Sequence, residues 1–294
     1  MIERLAWVTT RAARGRDEDE DVALAALRRA GVEVDVVDWD DAQVDWSAYD
    51  RAVLRSTWDY PDRLAEFLPW LDRVAAATDL VNPPATVRWS LDKHYLRELE
   101  ADGVAITPTV FLLPGEAPSW PDGDFVVKPA VGAGSRDTAT YGPEDVEVAA
   151  AHVARLHAAD RAVLVQPFLA SVATDGEWPL VYLDGTFSHA ASKRVAVPRA
   201  GSVADLFAEE TNAPHEATPA QVAVGDAALR VVTELLGTPA YARVDVVRDD
   251  AGEHCVLEVE MVEPSLFLPY AEPAAVDRLV AALTRPGPGG ATAG

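Results

Sequence analysis

Strand-like and helix-like segments alternate over the first 84 residues of this 294-residue chain. Apolar runs of about six residues predict buried strands, and apolar positions that recur every three or four residues predict helices. The two patterns follow one another in these segments: Leu5–Thr10, Asp21–Ala30, Val32–Trp39, Arg51–Ser56, Asp62–Thr78 and Leu80–Val81. Strands that alternate with helices form parallel sheets. We therefore predict an α/β domain with a parallel sheet of about four strands.

The carboxyl ends of these strands indicate where a ligand would bind. In open parallel sheets, ligands bind in a crevice beyond these ends. Thr9, Thr10 and the segment Arg55–Tyr60 follow two of the predicted strands. We therefore expect them at the mouth of a site, although Trp58 and Tyr60 could instead pack on the sheet.

From residue 85 the pattern changes to short strands separated by fewer helices, which predicts two α+β units. The predicted helices are Arg88–Ala101, Pro143–Ala158, Pro219–Leu236 and Glu272–Thr284. The predicted strands are Thr109–Leu113, Phe125–Lys128, Val163–Pro167, Leu180–Leu183, Thr186–Ser192, Tyr241–Val247 and His254–Val259. Asp184-Gly185 and residues 248–252 predict hairpin turns. Residues 195–216 show no period and predict a mobile loop, and the Pro-Gly-rich tail from Pro286 predicts disorder.

Charge and cysteine content exclude several classes of protein. The formal net charge is −23 and no basic stripe occurs, which argues against nucleic acid and anionic membranes as partners. No apolar run approaches the ~20 residues of a transmembrane helix, and the N-terminus lacks an apolar signal core. The single Cys255 excludes an intrachain disulfide, which favours a cytoplasmic location, and we interpret it as a small core residue. The sequence does not fix the oligomeric state; a homodimer is our expectation.

Lysine is rare in this chain, with three residues against 22 arginines. Lysine carries a compact, strongly hydrated charge that can contact phosphate oxygens inside a tight loop, where a guanidinium does not fit. Lys128 stands just before the glycine-rich segment Gly132–Ser135, whose backbone amides could hold phosphates. The segment is neither a P-loop nor a dinucleotide fingerprint, because the lysine precedes the glycines. An ordinary strand-to-turn connection explains the loop equally well.

Four charged residues alternate with apolar ones on the last two predicted strands. Arg243 and Asp245 lie on one strand, and Glu258 and Glu260 on the other. Residues two apart on a strand share a face, so the four side chains are expected side by side. Clustered carboxylates suit Mg²⁺, and one or two ions could bridge them to nucleotide phosphates. The alternative is the solvated outer face of a hairpin.

Seven segments occur in a characteristic order: Asp92-Lys93, Phe125–Pro129 with Gly132–Ser135, Val165–Leu169, Gly176-Glu177, His189–Arg194, Ala242–Asp245 and Leu257–Phe267. Together they resemble the ATP-grasp superfamily of carboxylate–amine ligases. The likeness spans about residues 85–283, and the N-terminal unit is similar to a pre-ATP-grasp domain. Arg55-Ser56, Val87–Trp89 and Glu263–Leu266 further resemble an actinobacterial group related to the O-ureido-serine cyclo-ligase of cycloserine biosynthesis.

The resemblance implies a domain order and a role for each motif. The units would be a pre-ATP-grasp domain (residues 1–84), a small ATP-grasp subdomain (85–165), a C-terminal subdomain with the metal site (166–285) and the tail (286–294). Residues expected to contact ATP are Lys93, Lys128, Gly132, Ala133, Gly134, Ser135, Gln166, Phe168, Leu169, Glu177 and Leu257. Asp245, Glu258 and Glu260 would ligate Mg²⁺. Arg243 would hold the γ-phosphate, and Lys193 would contact phosphate or substrate.

The resemblance also implies transfer of the γ-phosphoryl group to a small, amino-acid-like carboxylate, followed by amide formation with an amine. Two alternatives are a small-molecule kinase and a nucleotide-binding regulator without turnover. The implied substrate-binding residues are Arg55, Ser56, Trp58, Arg194, Glu263 and Ser265. For Arg55 a structural salt bridge at a strand end is an equal alternative, and for His189 a core position is preferred. Glu260 stands where many relatives have asparagine, and the ribose-binding acid has no clear counterpart.

Overall fold

The first sheet confirms the parallel α/β prediction. The computed structural model describes residues 2–195, 198–199 and 210–285, which form three β-sheets. The strands of the first are β1 (Arg4–Thr9), β2 (Glu33–Asp38), β3 (Arg51–Ser56) and β4 (Asp79–Val81). They are parallel in the order β2-β1-β3-β4, with helices α1 (Glu20–Arg29) and α2 (Leu64–Ala77) between them.

Both faces of this sheet are covered, which explains its continuous apolar strands. Leu5 and Trp7 of β1 lie in the same core cluster as the apolar face of α1 and of the last helix, α8 (Pro273–Thr284). Ala6 and Val8 point the other way, into the cluster formed by α2. The C-terminal end of the chain therefore completes the N-terminal core.

The predicted helix over Arg88–Ala101 is wrong as one element, because the chain forms α3 (Pro84–Leu91) and α4 (Tyr95–Ala101). Asp92 is extended, and its carboxylate accepts hydrogen bonds from the backbone and ring of His94. Asp side chains compete with helical hydrogen bonds in this way. Lys93 therefore lies at the break, where its amide donates to Ala130 O at 3.0 Å.

The second sheet is antiparallel, with strands β5 (Val110–Leu112), β6 (Phe125–Pro129), β7 (Ala139–Tyr141) and β8 (Val163–Pro167) in the order β5-β8-β6-β7. Helix α5 (Val146–Ala158) packs against it. A strand as short as β7 has too few residues to show a period, and sequence analysis missed it. The predicted boundary at residue 165 falls inside β8, so we propose a three-unit division with this boundary after Pro167.

The third sheet is also antiparallel and contains β9 (Trp178–Leu183), β10 (Thr186–Val195), β11 (Glu210–His215), β12 (Tyr241–Arg248) and β13 (His254–Glu260) in the order β11-β10-β9-β12-β13. Both predicted hairpins are confirmed. Helix α7 (Pro219–Leu236) packs on the sheet. A short helix, α6 (Ala170–Thr174), comes before β9 in the chain.

The predicted mobile loop over residues 195–216 is wrong for residues 210–215, which form β11 and pair with β10. No residue of β11 is buried, so the strand lacks an apolar face and its residues show no apolar alternation. As an edge strand it also tolerates Pro214. The prediction is also wrong at Val195, which ends β10, and at Arg199, which forms an isolated bridge with Thr140. Residues 196–197 and 200–209 of that loop, and the tail from Pro286, lie outside the described residues. Within the described ranges, no helix has the length and hydrophobicity needed to cross a bilayer.

Candidate active site

Segments attached to all three sheets line a cavity of about 330 Å³. It contains most of the residues that the motifs indicated: Trp58, Lys93, Lys128, Gly132, Ala133, Gly134, Ser135, Glu177, Lys193, Arg243, Leu257, Glu258, Glu260, Glu263 and Ser265. Other predicted site residues do not line it: Arg55, Ser56, Gln166, Phe168, Leu169, Arg194 and Asp245.

The β12–β13 hairpin places four charges together, as its alternation predicted. Arg243 is paired with Glu260 across the strands, and Asp245 with Glu258. The Arg243 guanidinium binds Asp245 through two nitrogens, Nε at 2.7 Å and Nη2 at 2.9 Å, and Nη2 also binds Glu260 Oε1 at 2.5 Å. Asp245 is 1 % exposed and lies beneath the cavity. It therefore orients Arg243 from below, and the solvated-face alternative is wrong.

Lys193 of β10 lies on the same charged surface. Its Nζ is 2.7 Å from Glu177 Oε2 and 2.9 Å from Asp245 Oδ2. Glu177 and Lys193 also exchange two backbone hydrogen bonds. This close approach requires Gly176, because a Cβ at that position would lie 2.6 Å from Lys193 O. The Gly-Glu motif therefore brings a carboxylate next to the lysine.

The other two lysines differ in their partners. Lys93 Nζ is 2.9 Å from Glu258 Oε1, and it donates to Gly132 O at 3.3 Å. Lys128, on β6, is 9 % exposed and has no hydrogen-bond or ion-pair partner among the described residues. Burial lowers the pKa of Lys128. Lys128 is thus a cavity cation whose hydrogen-bonding capacity is not used within the described chain.

The glycine-rich segment Gly132–Ser135 forms part of the wall between these lysines and the first sheet. The chain just after it is fastened, because Asp137 accepts a hydrogen bond from Arg161 at 2.7 Å. Arg136 pairs with Asp62, which follows β3. The loop is therefore in contact with the N-terminal unit across the mouth of the cavity.

The carboxyl groups of the cluster differ in charge. Burial raises the pKa of Asp245, but Arg243 and Lys193 outweigh it and hold that pKa at about 2. Burial likewise opposes ionisation of Glu258, and Lys93 and Lys128 lower its pKa. Burial raises the pKa of Glu260 to about 7 despite Arg243. Asp245 and Glu258 are therefore anionic at neutral pH, whereas Glu260 gains or loses its proton near pH 7.

These oxygens suit a magnesium ion, although the described residues contain no preformed group of three metal-binding side chains. The reason is that each carboxylate faces a lysine or arginine instead. Glu258 and Glu260 reach the cavity, with side chains 21 % and 28 % exposed, and supply the hard oxygen ligands that Mg²⁺ prefers. Asp245 could bind only if Lys193 or Arg243 moved.

Arg55 does not reach the cavity, and the salt-bridge alternative for it is confirmed. Its Nη2 lies 3.3 Å from Asp19 Oδ2, and both side chains are about 1 % exposed. Ser56 is buried and hydrogen-bonded to Thr9. Arg194 follows Lys193 on β10, so its side chain points to the opposite face of the sheet. None of these three predicted substrate contacts lies at the cavity.

The predicted adenine hinge does not line the cavity, although Leu169 packs in one cluster with the cavity residue Leu257. Gln166 is 2 % exposed and donates to Thr109 Oγ1 at 2.8 Å, and Leu169 packs with Val247 and Cys255. Burial raises the pKa of the Cys255 thiol, which agrees with a core role. His189 is also a core residue, since Nε2 lies 2.6 Å from Leu266 O.

Sequence analysis missed several residues of the site, above all Asp19. Arg16, Glu18 and Asp19 line the cavity from the loop before α1. They lie in the run Arg16-Asp-Glu-Asp-Glu-Asp21, which is indistinguishable from a solvated helix start in the sequence. The signal that could have found them is the position of this run beyond the carboxyl end of β1.

Glu263 predicts a pH-dependent loss of stability. Burial and Glu260 raise its pKa from 4.5 to about 8, so the fold holds a proton that the unfolded chain releases above pH 4.5. Its stabilising contribution is therefore complete below pH 4.5 and lost as the pH rises through 8. Between pH 5 and 8.5, the free energy of unfolding of the wild type should fall by about 3–5 kcal/mol more than that of the Glu263→Gln variant. Thermal or urea unfolding in metal-free buffer measures the difference, and parallel pH profiles would contradict the prediction.

The chain is similar to known proteins over most of its length. Residues 5–82 match the family model described as D-cycloserine synthetase DcsG, N-terminal domain. The cycloserine biosynthesis protein DcsG of Streptomyces lavendulae is 38% identical over 285 residues, covering 92% of this chain and 95% of the relative. The crystal structure of D-cycloserine synthetase DcsG matches with a TM-score of 0.88 and 38% identity, over 95% of this chain and 98% of that one.

More distant solved structures share the fold. D-alanine–D-alanine ligase from Bacillus anthracis, complexed with ATP, has a TM-score of 0.67 and 17% identity, with 96% of each chain covered. The ATP-grasp ligase PsnB, complexed with a precursor variant, Mg and ADP, has a TM-score of 0.61 and 19% identity, with 96% of this chain and 100% of that one covered. The fold and its cluster of lysines and carboxylates thus define an ATP-grasp ligase, an enzyme that forms carbon–nitrogen bonds with ATP. Within that class, this chain belongs to the family of the cycloserine biosynthesis protein DcsG.

Proposed function

We propose that this protein uses Mg-ATP to convert the carboxylate of an amino-acid-like substrate into an acyl phosphate, and then closes an amide bond with loss of phosphate. The observation that carries this proposal is the charged cluster at the cavity. Its cations are Lys93, Lys128, Lys193 and Arg243; its carboxyl groups are Glu177, Glu258 and Glu260 in the cavity wall and Asp245 beneath it. Binding ATP alone does not require such a set of aligned carboxylates. Transfer of a phosphoryl group does, because carboxylates hold the magnesium ions that neutralise the charge on the phosphoryl oxygens.

We assign the phosphates to the lysine side of the cavity. Lys128 supplies an ammonium without another partner in the described chain, and Lys93 is held by Glu258 beside the glycine-rich loop. The loop amides can donate to phosphate oxygens, as backbone nests do. Leu257 lines the cavity and offers an apolar surface for the base. Gln166, Phe168 and Leu169 remain our proposal for the adenine hinge, reached when the chain moves to admit the base.

Glu258 and Glu260 would hold magnesium, with Asp245 as a third ligand once its cations turn toward phosphate. Bound magnesium supplies neutralising charge to the phosphate oxygens. Arg243, which binds Asp245 through Nε and Nη2 in the free protein, would turn to the transferring phosphoryl group and bind its oxygens through two nitrogens. Lys193 lies between Glu177 and Asp245 and can shift to a phosphate or to the acyl phosphate oxygens.

We propose that the amine belongs to the same molecule as the carboxylate, so that the product is a ring. The support is the relative named D-cycloserine synthetase, which matches over nearly the whole chain. The substrate would bind among Trp58, Glu263 and Ser265. We further propose a cytoplasmic enzyme, since its one cysteine is free and buried. A homodimer stays a prediction.

The test is ADP release with Mg-ATP across a panel of amino acids and O-substituted serines, including both enantiomers of O-ureidoserine. We expect one O-substituted D-serine to stimulate ADP release and give a cyclic product by mass spectrometry. Hydroxylamine added during turnover should yield the hydroxamate of the acyl phosphate. If a phosphorylated compound accumulates instead, the protein is a kinase. If no carboxylate stimulates ADP release, the ligase proposal fails.

A further inference from the structure

One loop forms a wall of the cavity while its backbone is held by the first sheet. This loop runs from Glu263 to Leu268, directly after β13. Glu263, Ser265 and Phe267 line the cavity, whereas the alternate residues turn away from it. Phe267 has φ = 53°, a left-handed conformation that a bulky residue adopts only when its surroundings enforce it. Something outside the loop must therefore hold it in this shape.

Asp19 binds the loop from the start of α1. Its carboxylate accepts hydrogen bonds from the amides of Leu266 at 2.5 Å and Leu268 at 2.8 Å, on either side of Phe267. Asp19 is 1 % exposed, and hydrogen bonds from amides to a buried carboxylate are among the stronger ones in proteins. Although Asp19 reaches the cavity edge, both of its oxygens are already used by the loop. Asp19 thus holds the amides on both sides of the strained residue, while His189 contacts the carbonyl of Leu266 at 2.6 Å.

Arg55, at the end of β3, completes the clamp. Its Nη2 donates to Pro264 O at 2.8 Å and lies 3.3 Å from Asp19 Oδ2. The rings of Trp7 and Tyr241 lie within 5.3 and 5.6 Å of its guanidinium carbon and fix its plane. Nε and Nη1 are buried and have no hydrogen-bond partner in the described chain, so the directed hydrogen bonds of Arg55 go to Asp19 and the loop.

We infer that Asp19 and Arg55 are positioning residues that set the substrate wall of the cavity without contacting ATP. Arg55 binds one backbone carbonyl of the loop and Asp19 binds two backbone amides. These contacts fix the positions of Glu263, Ser265 and Phe267. The choice of carboxylate substrate therefore depends on two buried side chains of the N-terminal unit. The inference rests on the proposed function for its catalytic consequence, but its structural part does not.

The chain offers a matched control on the same strand. Arg51 begins β3 as Arg55 ends it, and it is 4 % exposed. It too binds an aspartate, Asp79, and a distant carbonyl, Leu283 O at 2.6 Å. Leu283 belongs to α8 and does not line the cavity. Arg51→Met therefore removes a buried cation of the same strand without touching the substrate wall, and the aspartate that it leaves is half exposed, whereas Asp19 is buried.

The experiment compares Arg55→Met with Arg51→Met in the full-length protein. Hydrogen exchange is measured at the amides of Leu266 and Leu268, together with KM for ATP and for the panel compound turned over by the wild type. In Arg55→Met we expect exchange and the substrate KM to rise by about tenfold or more, because small misplacements of positioning groups have effects of this size. The ATP KM should stay within about twofold, and Arg51→Met should change only thermal stability.

Arg55→Lys is the second variant, in case Arg55→Met does not fold. It keeps the charge beside Asp19 and should partly restore both exchange protection and the substrate KM. Equal behaviour of the Arg51 and Arg55 variants, or unchanged exchange at the two amides, overturns the inference. If the wild type turns over nothing in the panel, the proposed function fails, while the exchange measurement still decides whether the clamp exists.

Discussion

Glu258→Gln should abolish turnover, with kcat reduced by about 10³-fold or more. Glu258 forms an ion pair with Lys93, with Nζ 2.9 Å from Oε1, and both Lys93 and Lys128 lower the pKa of Glu258. Glutamine keeps the shape but removes the charge that would hold magnesium. Mg-ATP should therefore bind more weakly, whereas metal-free ATP should bind as well as before or better, since one repelling anion is gone.

Calorimetric titration with ATP, with and without Mg²⁺, separates these effects from a loss of folding. Glu234→Gln is the control, because Glu234 forms an exposed pair with Arg230 on α7 and lies outside the cavity. It should leave binding and turnover unchanged. Retained turnover in Glu258→Gln would remove the metal assignment.

Lys128→Met should lower kcat/KM for ATP by about 10²-fold or more and yet raise the thermal stability of the free protein. Both effects have the same origin. The Lys128 ammonium is buried without a hydrogen-bond or ion-pair partner in the described chain. Burial lowers its pKa despite the attraction of Glu258 and Glu177, so the fold bears a net desolvation cost that a bound anion would offset. Methionine removes the cost together with the phosphate contact.

The contrast is Lys93→Met, which also removes a cavity lysine. Lys93 is paired with Glu258, so its loss removes the ion-pair partner of a largely buried carboxylate, and stability should fall. Melting temperatures without nucleotide and ATP KM values for both variants decide the matter. If Lys128→Met binds ATP normally, the phosphate assignment is wrong. If both variants have the same melting temperature, the ion pair of Lys93 does not contribute to stability, and the prediction is wrong.

The charged hairpin was predictable because its information is local. Alternation of period two places Arg243, Asp245, Glu258 and Glu260 on one face whatever the rest of the chain does. The first sheet was predictable for a similar reason, since its central strands, β1 and β3, are buried on both faces and form apolar runs. Motif order then indicated the superfamily, although each motif alone was ambiguous.

What could not be predicted depends on contacts between distant segments. Asp19 meets Leu268 across 249 positions of sequence, and no local pattern records such a pairing. The same is true of Arg55, whose strand-end position fitted a ligand contact and a salt bridge equally well. The break at Asp92 was missed because the flanking helices share one apolar period.

The pairing of charges in the cavity constrains how this enzyme can diverge over evolutionary time. Replacing Lys193 alone by a neutral residue would leave Glu177 and Asp245 without one of their cations in a buried site. Lys93 and Glu258 depend on each other in the same way. Descendants of this chain should therefore lose or exchange these residues in compensating pairs, and intermediates that carry only half of such a change should be selected against.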